Sequence, residues 1–304
     1  MKNQPLIEIK NFKMKFGDNL VIKDLSFEVF PKEVFGLIGS NGSGKTTTIR
    51  ALLGLFQPTN GELLINGQKF SPETSLKIGY LPEERGLYKK EKVGNIMRYF
   101  AELKGLTGED AEVWIQSFLQ KVDLLDKINV RLDKLSSGQQ QKVQLGITIM
   151  GEPDLLILDE PTKGFDPVNR KLLLDIIEAE RQRGATILMI THQMEEVERL
   201  CDRVLLLKDG RAKVYGRVED IKDEAGEDRV KINFNGKLPT KGAPFIVLES
   251  NKTQAELAPK KDRSTNDILR YLVDQKIELR NYSIERPSLD EIFVKIYGTK
   301  VGEE

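Results

Sequence analysis

Three short segments of the chain carry residue types that handle phosphate. Gly39-Ser40-Asn41-Gly42-Ser43-Gly44-Lys45-Thr46 fits the spacing G-x-x-x-x-G-K-[ST]. Glycines in such a run let successive backbone N–H groups curl around a phosphate. A helix opening at its end directs the positive end of its dipole at the same anion. Lys45 then reaches the β- and γ-phosphates, and the Thr46 hydroxyl reaches Mg²⁺. Leu155-Leu156-Ile157-Leu158 is an apolar run that ends in Asp159-Glu160. Ligands of open α/β sheets gather at the carboxyl ends of strands. Asp159 is therefore expected beside the phosphate loop, holding Mg²⁺ directly or through water. Glu160 is placed to orient or deprotonate an attacking water. His192 follows another apolar run, 185–190, and so falls at a neighbouring strand end. A neutral imidazole can donate one hydrogen bond to a phosphate.

The composition narrows the chemistry further. His192 and Cys201 are the one His and the one Cys in 304 residues. That excludes a Cys/His zinc cluster and an internal disulfide, and it fits a reducing cytosol. General-base duty falls to a carboxylate. Lys and Arg number 47 against 47 Asp and Glu, which argues against a general polyanion binder. No apolar stretch approaches the ~20 residues of a membrane span. The start, Met1-Lys2-Asn3-Gln4-Pro5, lacks the apolar core of a signal peptide. The expectation is a cytoplasmic protein.

These residues need elements to position them. Residues 6–16 and 24–30 alternate as half-buried strands, and 33–38 is a more continuous strand leading into the glycine run. A helix is predicted over 46–55 and a short strand over 62–66. The block 92–151 reads as all-helical, with helices over 95–104, 110–125 and 139–150. Ile96, Tyr99, Phe100 and Leu103 are expected on one apolar face of the first. Strands at 155–158, 185–190, 204–207 and 212–215 then alternate with helices at 169–183 and 194–200, the pattern of a parallel α/β sheet. Asp209-Gly210 marks a hairpin between the last two strands. Beyond about residue 226 come strands at 229–234, 245–250, 253–257 and 277–284. Helices at 264–275 and 288–297 each open with capping-box-like spacing, Ser264 to Asp267 and Ser288 to Glu291. This is a separate small α+β domain, joined through a charged stretch at 219–229, and residues 222–231 are read as solvated linker.

Leu135-Ser136-Ser137-Gly138-Gln139 precedes a helix just upstream of the acidic strand. It puts hydroxyl and N–H donors at the helix start, a second anion-binding arrangement. With these motifs in this order, residues 6–216 resemble the ATP-binding subunit of an ABC transporter. The resemblance implies a P-loop NTPase fold of ABC type: a RecA-like α/β core with an antiparallel β subdomain and a helical subdomain at about 86–152. It implies an ATPase domain at 1–225 and an accessory α+β domain at 226–304. Gly39 through Thr46 match the Walker A loop, with Thr47 adjoining it in the ATP site. Asp159 and Glu160 match Walker B and the catalytic glutamate, and His192 matches the switch histidine at the γ-phosphate. Phe16 matches the aromatic that stacks on adenine, and Phe165-Asp166 the loop that touches the opposite subunit. Ser136, Ser137, Gly138 and Gln139 match the signature that contacts ATP on that subunit, so a head-to-tail homodimer or heterodimer with two sandwiched ATP molecules is implied. Ser137 stands where Gly is usual.

The family carries Gln after Tyr80-Leu81-Pro82, where this chain has Glu83 followed by Glu84-Arg85-Gly86. Glu83 can still offer an oxygen to Mg²⁺, while adding negative charge beside the phosphates. This form, with Arg286-Pro287-Ser288-Leu289-Asp290-Glu291-Ile292-Phe293 near the end, is similar to a branch of ABC exporters that includes sodium-efflux ATPases. The implied function is an ATP- and Mg²⁺-dependent motor that powers export through a separate membrane permease, on the inner face of the cell membrane. The alternative is a soluble ABC-type ATPase unlinked to transport. Such proteins usually carry a long coiled-coil insertion or two ATPase units, and neither is present.

Overall fold

The computed structural model describes residues 4–71, 77–84, 88–224 and 229–298. It forms two compact units, 1–217 and 218–304. The junction expected at 225/226 lies outside the described residues, as do Arg85 and Gly86.

The first unit starts with β1 (Ile7–Phe16), β2 (Asn19–Val29) and β3 (Val34–Ile38), then α1 (Lys45–Leu52), β4 (Asn60–Ile65) and β5 (Ile78–Leu81). The helical block supplies α2 (Val93–Leu103), α3 (Gly108–Lys121) and α4 (Ser137–Ile149). Then follow β6 (Leu155–Asp159), α5 (Pro167–Arg183), β7 (Thr186–Thr191), α6 (Met194–Leu200), β8 (Arg203–Lys208) and β9 (Arg211–Arg217). The strands form one sheet in the order β4-β1-β2-β9-β8-β3-β7-β6-β5. β3, β7, β6 and β5 run parallel side by side, so their carboxyl ends form one row. Every residue of β3, β6 and β7 is buried, as expected of parallel strands covered on both faces. β1 pairs antiparallel with β2 and β4. One apolar core joins both parts, from Ile7 and Phe12 through Ile49 and Leu52 to Leu188 and Ile190. Asp209 and Gly210 both take positive φ, 51° and 71°, closing the predicted two-residue hairpin.

The helical block differs in one respect from expectation. Ile96 is buried, but Tyr99 and Leu103 are 47% and 52% exposed. The inward stripe runs through Val93, Ile96, Met97 and Ala101. That stripe follows i, i+3, i+4 spacing from residue 93, and residues 99 and 103 fall about a third of a turn away. Tyr88 joins Tyr99 on the outside, their rings 6.2 Å apart and edge to face. Lys104 fastens the block by donating from Nζ to the carbonyls of Ile147, Thr148 and Met150 at 2.7, 2.9 and 3.0 Å, capping the end of α4. Trp114 stacks on Phe118, and a Cβ at Gly146 would lie 2.3 Å from the Phe118 ring. Glycine at 146 lets α3 approach α4.

The second unit contains α7 (Val218–Glu224), β10 (Arg229–Asn235), β11 (Phe245–Ser250), β12 (Gln254–Pro259), α8 (Thr265–Asp274), β13 (Glu278–Glu285) and α9 (Leu289–Gly298). Its sheet is antiparallel, in the order β11-β12-β10-β13. Val230, Ile232 and Phe234 face a core shared with Ile268 and Leu272 of α8. The charged joining stretch is helical over Val218–Glu224, because Val218 and Ile221, three apart, share a buried face. Of the residues read as solvated linker, 222–224 end that helix and 229–231 open β10. The Ser264–Asp267 box at α8 is complete, with bonds in both directions. At α9 the Ser288 hydroxyl accepts from the Glu291 N–H at 3.3 Å.

Candidate active site

The row of strand ends positions the site. β3 leads into the glycine run, β7 into His192, β6 into Glu160 and β5 into Glu83. An open cleft of ≈ 500 Å³ is lined by Phe16, Asn41, Gly42, Gly44, Lys45, Thr46, Thr47, Glu83, Asp159 and Glu160. Residues predicted from four separate segments therefore line one cleft, and His192 joins them through Glu160.

The loop is shaped for an anion. Gly44 takes φ 107°, and a Cβ on Gly39 would lie 2.3 Å from the Leu207 carbonyl oxygen. α1 opens at Gly44 with no side-chain cap, so its first-turn N–H groups are left for a ligand. Lys45 folds back, donating from Nζ to the carbonyls of Gly39 at 2.8 Å and Ser40 at 3.1 Å. Burial lowers its pKa, while the carboxylates of Glu160, Asp159 and Glu83 pull the other way. The Ser43 hydroxyl is buried with no partner among the described residues. A phosphate offers acceptors to each of these donors.

Thr46 Oγ1 donates to Asp159 Oδ2 at 3.2 Å. Burial pushes the Asp159 carboxyl up to about 6; the Thr46 hydroxyl pulls down, and the charges of Glu83 and Glu160 add to the rise. Hard oxygen donors crowded with negative charge are the set a Mg²⁺ ion needs. Thr46, Asp159 and Glu83 thus fit the metal. Glu83 is also partnered: Lys163 Nζ donates to its Oε1 at 2.6 Å. Lys163 offsets the charge that Glu brings in place of Gln.

Glu160 is 6% exposed and held at φ 50° while its N–H donates to the Ile190 carbonyl at 2.8 Å. That left-handed bend turns the side chain out of the strand. Oε1 lies 2.7 Å from His192 Nδ1, and buried Oε2 has no partner among the described residues. A neutral ring that donates through Nδ1 has a bare Nε2 and cannot donate to a phosphate. To do so His192 must turn from Glu160 or carry a second proton.

Phe16 is 42% exposed at the cleft edge, its ring packed edge to face on Phe56 at 5.3 Å. Ser136, Ser137, Gly138 and Gln139 do not line this cleft. Ser136 caps α4 in a complete box: its hydroxyl accepts from the Gln139 N–H, and the Gln139 side chain accepts from the Ser136 N–H. A Cβ on Gly138 would stand 3.2 Å from the Phe165 ring. Asp166 caps α5 by accepting from the Val168 and Asn169 N–H groups, both at 3.0 Å.

Two side chains that sequence reasoning passed over belong to the site's frame. Gln141 Nε2 donates to the Pro161 carbonyl at 2.6 Å, bracing the Glu160 turn from α4. Glu196, wholly buried in α6, is bonded to three segments around Glu160 and His192. No sequence signal marked Glu196: its helix reads Met-Glu-Glu-Val-Glu-Arg-Leu, and which of those acids is buried shows only in the fold.

The family model described as ABC transporter matches residues 22–163, and that of the ATP-binding protein DrrA1-3-like C-terminal domain matches 216–297. An uncharacterized ABC transporter ATP-binding protein of Methanocaldococcus jannaschii is 44% identical, across 80% of this chain and 88% of its own length. A Nod factor export ATP-binding protein I of Cupriavidus pinatubonensis is 31% identical, across 97% and 92%. A solved ATP-binding subunit of an ABC transporter superposes with a TM-score of 0.68 at 33% identity, covering 72% of this chain and 92% of that one.

Proposed function

The chain belongs to the ABC transporter ATP-binding family, and we propose that it is the motor subunit of an export complex. As a family member it is an ATPase that binds ATP with Mg²⁺. Residues 1–225 form the catalytic domain and 226–304 an accessory one. The observation that carries the hydrolytic reading is Glu160: buried, turned into the phosphate cleft, one oxygen on His192 and the other unpartnered.

Adenine stacks on Phe16. The N–H groups from Gly39 to Thr47 and the Lys45 ammonium bind the phosphates, Lys45 exchanging its loop carbonyls for phosphate oxygens. Mg²⁺, held through Thr46, Asp159 and Glu83, supplies charge neutralisation at the phosphate oxygens when bound. Glu160 Oε2 takes the proton as water attacks the γ-phosphorus and the bond to the β-phosphate oxygen breaks. His192 leaves Glu160 to hold the γ-phosphate. Ser136, Ser137, Gly138 and Gln139 face outward and act on ATP held by a second copy or a homologous subunit. The membrane permease docks on the helical block, where Tyr88, Tyr99 and Leu103 leave apolar surface exposed. Among the described residues no helix is long and apolar enough to cross a membrane. Family membership supports placing the subunit on the inner membrane face through that permease. The export-named relative supports the direction of transport.

Two experiments test this. Purification from detergent-solubilised membranes should recover a polytopic membrane protein; recovery of ribosomes or DNA instead would overturn the transporter reading. His192→Ala should lower kcat by about 10²-fold while leaving ATP affinity in place. Loss of binding without a specific loss of turnover would contradict its role.

A further inference from the structure

Glu196 has no part in the chemistry just described, yet it is 0% exposed. A carboxylate out of water persists only when its charge and lone pairs are met. Here three donors meet them. Arg170 Nε donates to Oε1 at 2.8 Å, Thr162 Oγ1 donates to the same oxygen, and Thr191 Oγ1 donates to Oε2 at 3.3 Å. Each donor comes from a different segment. Thr162 lies two residues after Glu160, Thr191 immediately precedes His192, and Arg170 sits in the first turns of α5, behind its cap Asp166.

The two hydroxyls are also accounted for on their acceptor side. Gln193 donates from Nε2 to Thr162 Oγ1 at 3.4 Å and from its backbone N–H to Thr191 Oγ1 at 3.1 Å. Thr162 and Thr191 are 2% and 1% exposed, so water cannot substitute for these bonds. An apolar residue at 196 would fill the space but strand two hydroxyls and a guanidinium. The arrangement is a single anchor on which the Glu160 turn, the His192 turn and the start of α5 are all hung.

We infer that Glu196 is a positioning residue for hydrolysis, fixing the two turns that carry Glu160 and His192 and tying both to the start of α5. The inference rests on Glu160 and His192 being the hydrolytic pair. A displacement of about 1 Å in such a pair is enough to cost about 10²-fold in rate. Because the hydrogen bonds of Glu196 go to Thr162, Arg170 and Thr191 and not to the phosphate loop, ATP binding is not its task.

The test uses near-isosteric changes that preserve packing. Glu196→Gln turns one acceptor into a donor facing a donor, and Thr191→Val deletes one bond. Both should lower kcat, Glu196→Gln by about 10²-fold, with the KM for ATP nearly unchanged in a protein that still folds, though at a lower melting temperature. Thr191→Ser, which keeps the hydroxyl, should restore kcat. Glu196→Gln combined with Thr191→Val should fall short of the product of the single losses, as for members of one network. Wild-type kcat in folded Glu196→Gln would overturn the inference. So would a loss of ATP affinity in step with kcat, which marks a purely structural role. Glu160→Gln run alongside separates the two levels. If it keeps full turnover the hydrolytic pair itself is wrong; if it is inactive while Glu196→Gln is normal, only the anchor is wrong.

Discussion

Two helices of the ATPase unit begin where an anion could dock, and they begin differently. α1 opens at Gly44 with no side-chain cap, inside the cleft and beside Lys45, Asp159 and Glu160. α4 opens at Ser136 with a capping box complete in both directions, away from that cleft. An uncapped helix start leaves N–H groups unsatisfied until a ligand arrives. A capped start is stable alone and spends two of its donors on itself. On the proposed reading the first binds phosphate within one subunit. The second is a finished surface that can present its remaining donors to a partner. α8, in the other unit, carries the same kind of box at Ser264 and Asp267 and has no nucleotide motif near it. It serves as the control for capping alone.

The comparison can be broken at either helix. At α1, Lys45→Ala should lower kcat/KM by about 10²- to 10³-fold, since it removes the charged donor proposed to exchange its loop carbonyls for phosphate oxygens; steady-state ATPase and nucleotide-binding assays check it. At α4, Ser136→Ala should leave ATP binding by the isolated subunit intact and reduce kcat about tenfold, the value of one charge-assisted bond. If binding falls instead, the signature acts within its own subunit. A weaker effect concerns the charge around α1. Asp159 rises from 3.8 to about 6 on folding. The folded state then holds this proton more tightly than the unfolded one. Stability from this group is full below about pH 4 and is lost as pH climbs to about 6. Mg²⁺ with nucleotide favours the ionised carboxylate, so the rise in melting temperature it produces should be larger at pH 7 than at pH 5. An equal rise at both would remove Asp159 from the metal site. Smallest of all, Ser264→Ala at α8 should cost about 1 kcal/mol in denaturant unfolding with no change in ATPase rate.

Much of this site was legible in the sequence because phosphate loops are local. Gly39 to Thr46 is one uninterrupted run that needs only a strand before it and a helix after it. Asp159, Glu160 and His192 could be placed by a topological rule, that strand ends of a parallel sheet share one edge. The frame was less legible. Gln141, Glu196 and Lys104 take their roles from partners 20 to 46 residues away, such as Pro161, Arg170 and Met150, and no spacing within their own helices announces that. Tyr99 and Leu103 looked buried on periodicity and are exposed, because the inward stripe of α2 begins at Val93 rather than at Ile96. The pairing of Glu83 with Lys163, 80 residues on, likewise appears only once β5 and β6 lie side by side. Local chemistry was readable, and the supports that hold it were not.

Glu160→Gln tests the account most directly. The substitution keeps size and hydrogen bonding to His192 but removes the ability to accept the water's proton. Single-turnover assays with ATP and Mg²⁺, read beside size-exclusion chromatography, should show ATP bound and unhydrolysed, with the protein trapped as a dimer. Hydrolysis at the wild-type rate in a folded Glu160→Gln protein would contradict the assignment of Glu160 and, with it, the mechanism built on that strand end.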